Sequence, residues 1–132
     1  MGVNKKMKKT ILMALLLTTI LLVACAPQQQ IEQGPLDDFV KCMKDNGVKM
    51  YGSMTCPVCA RQKKLFSNSF KLLGEIECHP KAKNTESELC IEKEILKTPT
   101  WILEPQGQEE KRLEGYQSIE TLAEFSGCPA PK

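Results

Sequence analysis

Val48-Lys49-Met50-Tyr51-Gly52-Ser53-Met54-Thr55-Cys56-Pro57-Val58-Cys59 is the stretch on which the fold turns. Val48 to Ser53 is a short strand candidate, and two thiols at C-x-x-C spacing follow it. Beyond them, Cys59, Phe66 and Phe70 fall on one helical face, with Arg61, Lys63 and Lys64 mostly outside it. A strand running through C-x-x-C into a helix sets the first sulfur among free backbone N–H groups at the positive end of the dipole. That field favours thiolate, the nucleophile of disulfide exchange. The pattern predicts a buried Cys59 and a Cys56 at the helix mouth. Alone, C-x-x-C fits half a zinc site or a structural staple equally well, so the surrounding chain has to decide.

Before this stretch, Leu36, Phe39, Val40 and Met43 recur at helical spacing, and Gly47 is placed to end that helix. After it, Ile76 and Cys78 alternate with Glu75 and Glu77, as in a half-exposed strand. Thr85-x-x-Glu88 reads as a capping box opening a helix through about Leu96. In Lys97-Thr98-Pro99-Thr100-Trp101-Ile102-Leu103 a proline begins a strand; Pro105 and Gly107 mark a turn, and Lys111 to Glu114 a return strand. Ser118 is placed to N-cap a last helix carrying Ile119, Leu122 and Phe125, closed by Gly127. The order α-β-α-β-α-β-β-α predicts an α/β domain, a mixed sheet with helices on both faces.

The first residues are not part of that domain. Lys5, Lys6, Lys8 and Lys9 form a basic region before an apolar-to-neutral run from Ile11 to Ala24. Such a run is shorter than the roughly 20 residues of a comfortable membrane span and fits a signal sequence. Leu22-Val23-Ala24-Cys25 resembles a bacterial lipobox, which implies that Cys25 is lipidated and becomes the first mature residue. Two or more acyl chains give stable anchoring. The expected organisation is a signal peptide over 1–24, a flexible tether over 25–35 and one domain over 36–132. Of 18 basic residues four leave with the signal, so 14 face 16 acidic ones and the mature charge is −2. The basic balance of the precursor therefore says nothing about nucleic acid, and no Lys/Arg stripe with interleaved aromatics survives in the mature part. Seven cysteines become six once Cys25 is set aside: Cys42, Cys56, Cys59, Cys78, Cys90 and Cys128. Six cysteines in a small exported domain suit an oxidising compartment, with many connectivities open.

C-x-x-C at a helix start, with Thr98-Pro99-Thr100 opening a later strand, resembles the thioredoxin superfamily. Met50-Tyr51-Gly52, Cys-Pro-x-Cys, Gln62 to Phe66, the Cys78 to Cys90 interval, Pro99-Thr100-Trp101-Ile102 and Leu122 to Cys128 together are similar to the thioredoxin-like domain fused to vitamin K epoxide reductase homologues. The resemblance implies an α/β thioredoxin-like fold with a central mixed sheet flanked by helices. It also implies that Cys56 attacks, that Cys59 resolves, and that Pro99 is a cis residue whose loop, with Thr98 and Thr100, lies beside the sulfurs and meets an extended peptide. It pairs Cys78 with Cys90, which gives Cys42 and Cys128 to each other. The activity implied is extracytoplasmic thiol–disulfide exchange on exported proteins with cysteines, without an organic cofactor or metal. The implied membrane partner is quinone-linked, of the vitamin K epoxide reductase or DsbB type. Two departures matter. Thioredoxins carry a buried acid six residues before the first cysteine, where this chain has Met50; strong oxidants place histidine before the second, where it has Val58. The helix terminus is then left as the main source of thiolate stabilisation at Cys56.

Two rivals remain at this level. Cys56 and Cys59 could hold zinc or copper with Cys78, Cys90 or His79, although the Cys78–Cys90 spacing is not a usual zinc pair. A redox-inert envelope lipoprotein could keep the fold as an interaction module. His79, the single histidine, reads as a solvated strand-end residue, and Trp101 as a packed strand residue near the site. Met43, Met50 and Met54 fit core positions better than a copper site.

Overall fold

The computed structural model describes residues 34–132. The expected signal peptide, Cys25 and the tether up to residue 33 lie outside the described residues. Helix α1 spans Asp37–Asp45, with Asp37 and Asp38 in its first turn and Lys44 in its last, each complementing the dipole. It buries Phe39, Val40 and Met43. Gly47 turns the chain at φ +86°, and a Cβ there would sit 2.8 Å from the Glu104 carbonyl oxygen, so only glycine fits. Strand β1 follows at Val48–Gly52, then α2 at Pro57–Phe66.

The helix does not run on to Phe70 as its apolar spacing predicts. Ser67 adopts φ +50°, a 3-10 turn covers Ser67–Ser69, and a separate helix α3 occupies Phe70–Leu73. Ser-Asn-Ser side chains bond to nearby backbone as readily as they continue a helix. Phe70 still joins the core, its ring centroid 6.0 Å from that of Phe66. Strand β2 is only Ile76–Glu77. Helix α4 covers Ser87–Glu92 and lacks the expected capping box and the extension to Leu96. Thr85 Oγ1 instead accepts from the Ser87 N–H at 3.2 Å and donates to the Glu77 carbonyl at 3.4 Å. Strands β3 (Thr100–Leu103) and β4 (Lys111–Glu114) form the hairpin anticipated around Pro105 and Gly107. In α5, Ile119–Ser126, Ser118 Oγ caps the Thr121 N–H at 3.2 Å, and Gly127 ends the helix in the left-handed region.

The sheet order is β2-β1-β3-β4, with β1 parallel to β2 and the other pairs antiparallel. Met50 opposite Trp101 and Val48 opposite Leu103 define one face. That face packs against Phe39, Val40 and Met43 of α1, Cys59 and Phe66 of α2, and Leu122 and Ala123 of α5. Tyr51 and Ile102 point to the other face, where Cys90 of α4 meets them. Among the described residues no helix is long and apolar enough to cross a membrane.

Candidate redox site

Cys56 caps α2. Its backbone is extended (φ −88°, ψ 112°) and Pro57 takes the first helical position, where a missing N–H costs nothing. The Cys59 N–H therefore points at the Cys56 sulfur, 3.2 Å away. Cys56 is half-buried, Cys59 is fully buried, and both are free thiols. One helical step thus separates a sulfur that solutes can reach from one they cannot.

The second wall comes from the segment before β3. The Thr98–Pro99 bond is cis, and the Thr98 carbonyl oxygen accepts from the Cys56 thiol at 3.3 Å. Pro99 is fully buried. The loop is held by the Gly115 N–H on the Pro99 carbonyl at 2.8 Å, and by Thr100 Oγ1 donating to the Lys97 carbonyl at 2.8 Å. Thr98 thus lies against Cys56, and Pro99 leads from it into Thr100, the first residue of β3 beside β1.

Burial pushes the Cys56 thiol up, but hydrogen bonds outweigh it and leave the group below the ordinary cysteine value. The donors are the Cys59 and Thr98 side chains and the Cys59 and Val58 backbone N–H groups. The contact with the Thr98 carbonyl opposes them, because only the protonated thiol can make it. Cys59 moves the other way, to about 11, first through burial and then because its thiol donates to Cys56. One nucleophile is poised and the other is withheld.

Gln62, in the Gln62 to Phe66 segment, is fully buried on α2. Its Nε2 donates to the Gln117 carbonyl at 3.0 Å and its Oε1 accepts the Gln117 N–H at 2.7 Å. It fixes α2 to the segment entering α5. Its spacing, three residues after Cys59 and four before Phe66 on the same helical face, is the sequence signal that could have marked it. Trp101 is fully buried, 6.0 Å from Phe66 between ring centroids. His79 is half-buried, and its Nδ1 accepts the Lys81 N–H at 3.2 Å. Met43 and Met50 are core residues, but Met54 is 55% exposed, two positions from Cys56, which corrects its assignment to the core.

The remaining cysteines are paired. Cys42–Cys128 joins α1 to the chain after α5, with Cα atoms 6.0 Å apart, and Cys78–Cys90 joins the end of β2 to α4, at 5.7 Å. A metal site drawing on Cys78 or Cys90 would have to open the second bridge first.

A reachable thiol at a helix N-terminus, a buried partner one turn on, and a cis-proline loop across from both stand at the end of a mixed sheet flanked by helices. The fold is thioredoxin-like. No family model matches the chain. An Arabidopsis thaliana protein described as thiol-disulfide oxidoreductase LTO1 is 32% identical over 93 residues, covering 67% of this chain and 23% of that relative. The chain therefore spans under a quarter of that relative's length. Among solved structures, a chloroplastic thioredoxin z aligns over 67% of this chain and 83% of its own, at 15% identity and a TM-score of 0.46.

Proposed function

We propose that this protein is a thiol–disulfide oxidoreductase of the thioredoxin superfamily that works outside the cytoplasm, anchored through Cys25, on the cysteines of exported proteins. The observation that carries the reading is the contrast within C-x-x-C: Cys56 reachable and biased to thiolate, Cys59 buried and biased to thiol. The similarity over 93 residues to a protein described as a thiol-disulfide oxidoreductase supports the same class.

With the pair reduced, the Cys56 thiolate attacks one sulfur of a substrate disulfide. A Cys56–substrate disulfide forms and the other substrate sulfur leaves as thiolate. Cys59 then loses its proton and attacks Cys56 Sγ, closing the Cys56–Cys59 bond and releasing the second substrate thiolate. Two electrons pass to the substrate and none to a cofactor. Run backwards, the same steps oxidise a dithiol. Thr98, Pro99 and Thr100 offer the backbone edge along which the substrate chain lies. The lipobox-like Leu22-Val23-Ala24-Cys25 supports the anchor, and anchoring would raise the effective concentration of a quinone-linked membrane partner of the vitamin K epoxide reductase or DsbB type.

The test is trapping in cells. A Cys59→Ser protein should accumulate mixed disulfides with exported proteins through Cys56, visible as reductant-sensitive adducts. The Cys56→Ser, Cys59→Ser double variant should lose them. Equal adduct levels in the two would contradict the assignment.

A further inference from the structure

Among the described residues, Gln62 is the one amide side chain that the core buries completely. A buried amide is costly unless its donor and acceptor are both used, and an apolar side chain on that face of α2 would carry no such cost. Its partners show what it supplies. Nε2 and Oε1 take the carbonyl and the N–H of a single residue, Gln117, at 3.0 and 2.7 Å. The preceding residue of α2, Arg61, lays its guanidinium over the ring of Tyr116, 4.6 Å from the centroid. Gly115 in turn gives its N–H to the Pro99 carbonyl at 2.8 Å. Three consecutive residues, Gly115, Tyr116 and Gln117, therefore strap α2 to the proline loop. The Gln117 side chain folds back on the strap, donating to the Glu114 carbonyl at 3.0 Å.

These contacts close a ring around the reactive sulfur. It passes from Cys56 to the Thr98 carbonyl, along the chain to Pro99 and across to Gly115. From there it follows the strap to Gln117, crosses to Gln62 and returns along α2 to Cys56. The sheet by itself does not fix the two walls of the site. Pairing between β1 and β3 ends at Tyr51 opposite Thr100. The chain then leaves the sheet through Ser53, Met54 and Thr55, the last two exposed, before α2 begins. The strap ties the walls together on the other side, and a fully satisfied buried polar contact holds one geometry where apolar packing tolerates several.

We propose that Gln62, assisted by Arg61, is a positioning residue for mixed-disulfide formation: through the Gly115 to Gln117 strap it sets the gap between Cys56 and the Thr98 to Thr100 loop that holds a substrate polypeptide. This role rests on the redox function proposed above. Gln62 touches neither substrate nor sulfur. In the step it serves, the Cys56 thiolate attacks a substrate sulfur, the Cys56–substrate bond forms, the substrate S–S bond breaks, and the other sulfur leaves as thiolate. A polypeptide lying on the loop is aligned by both walls, and a misplacement of about 1 Å can cost about a hundredfold. A small disulfide has no chain to lay on the loop. It needs only the thiolate, whose Cys59 N–H donor belongs to α2 itself.

The experiment gives the reduced full-length protein two substrates with one leaving group and follows the coloured thiolate by stopped flow. One is thionitrobenzoate disulfide; the other is an unstructured peptide whose single cysteine is linked to thionitrobenzoate. Gln62→Met, which keeps the reach of the side chain and loses both hydrogen bonds, should slow the peptide about tenfold or more and leave the small disulfide within about twofold. Arg61→Ala, at an exposed position, should shift the ratio of the two rates the same way by about threefold, the scale of an exposed cation–π contact. It decides the matter if Gln62→Met does not fold. An unchanged ratio in the deciding variant, equal slowing with both substrates included, would overturn the proposal. No release from either substrate by the unaltered protein would overturn the redox function itself, and this proposal with it.

Discussion

The two disulfides should differ in weight, and the difference follows from chain length. Cys42 and Cys128 are 86 residues apart, whereas Cys78 and Cys90 are 12 apart. Each bridge restricts the unfolded chain, with a loss of about 2.1 + 1.5R ln n cal/mol/K for a loop of n residues. At room temperature that gives about 4.6 kcal/mol for the long loop and about 2.8 kcal/mol for the short one. Paired Cys→Ala substitutions add a cavity term, but it is similar at both sites, since each bridge has one partner about 95% buried: Cys128 is 5% exposed and Cys90 4%. Subtracting one variant from the other therefore isolates loop length, leaving about 1.8 kcal/mol. Small domains have about 5–15 kcal/mol in total, so removing the long bridge takes a large share. Urea unfolding of Cys42→Ala, Cys128→Ala and of Cys78→Ala, Cys90→Ala, with the reactive pair kept reduced, gives both values. Equal losses, or a larger loss for the short loop, would refute the reasoning.

Other outcomes follow from the charges. Alkylation of the reduced protein should titrate in one step at Cys56, with a midpoint below that of an ordinary cysteine. Cys59 should stay unreactive until its own range near 11; mass spectrometry after a pH series reads both, and equal labelling at neutral pH would contradict the site geometry. Glu104 is held at about 2 by Lys49, 2.5 Å away, and by Lys93. A carboxylate depressed in the folded state stabilises the protein above its unfolded value and loses that contribution as pH falls. Stability should therefore drop between about 4.5 and 2, and Glu104→Gln should flatten that part of the pH–stability curve.

The fold was legible where side chains act locally. Ser118 and Gly127 delimit α5 because one caps a free N–H and the other takes a left-handed turn, and neither depends on a distant partner. The apolar period through Phe39, Val40 and Met43 located α1 for the same kind of reason. The expectation of one helix through Phe70 failed at Ser67, where the backbone reverses although the apolar spacing continues. Thr85 misled because its hydroxyl, which the Thr-x-x-Glu spacing assigns to a helix cap, instead bonds the Ser87 N–H and the Glu77 carbonyl of β2. At the site, the C-x-x-C and the proline loop carry motifs and could be named. Gln62 shares the buried face of α2 by spacing, but its role could not be read, because its partner Gln117 lies on a segment that spacing along one element never connects.

The reduction potential of the Cys56–Cys59 pair, measured on the full-length protein by glutathione and dithiothreitol equilibration, tests the central claim most directly. A reversible two-electron transition between roughly −120 and −270 mV, absent in Cys59→Ser, is the predicted result. No reversible transition, or one below about −300 mV as in structural disulfides, would contradict it.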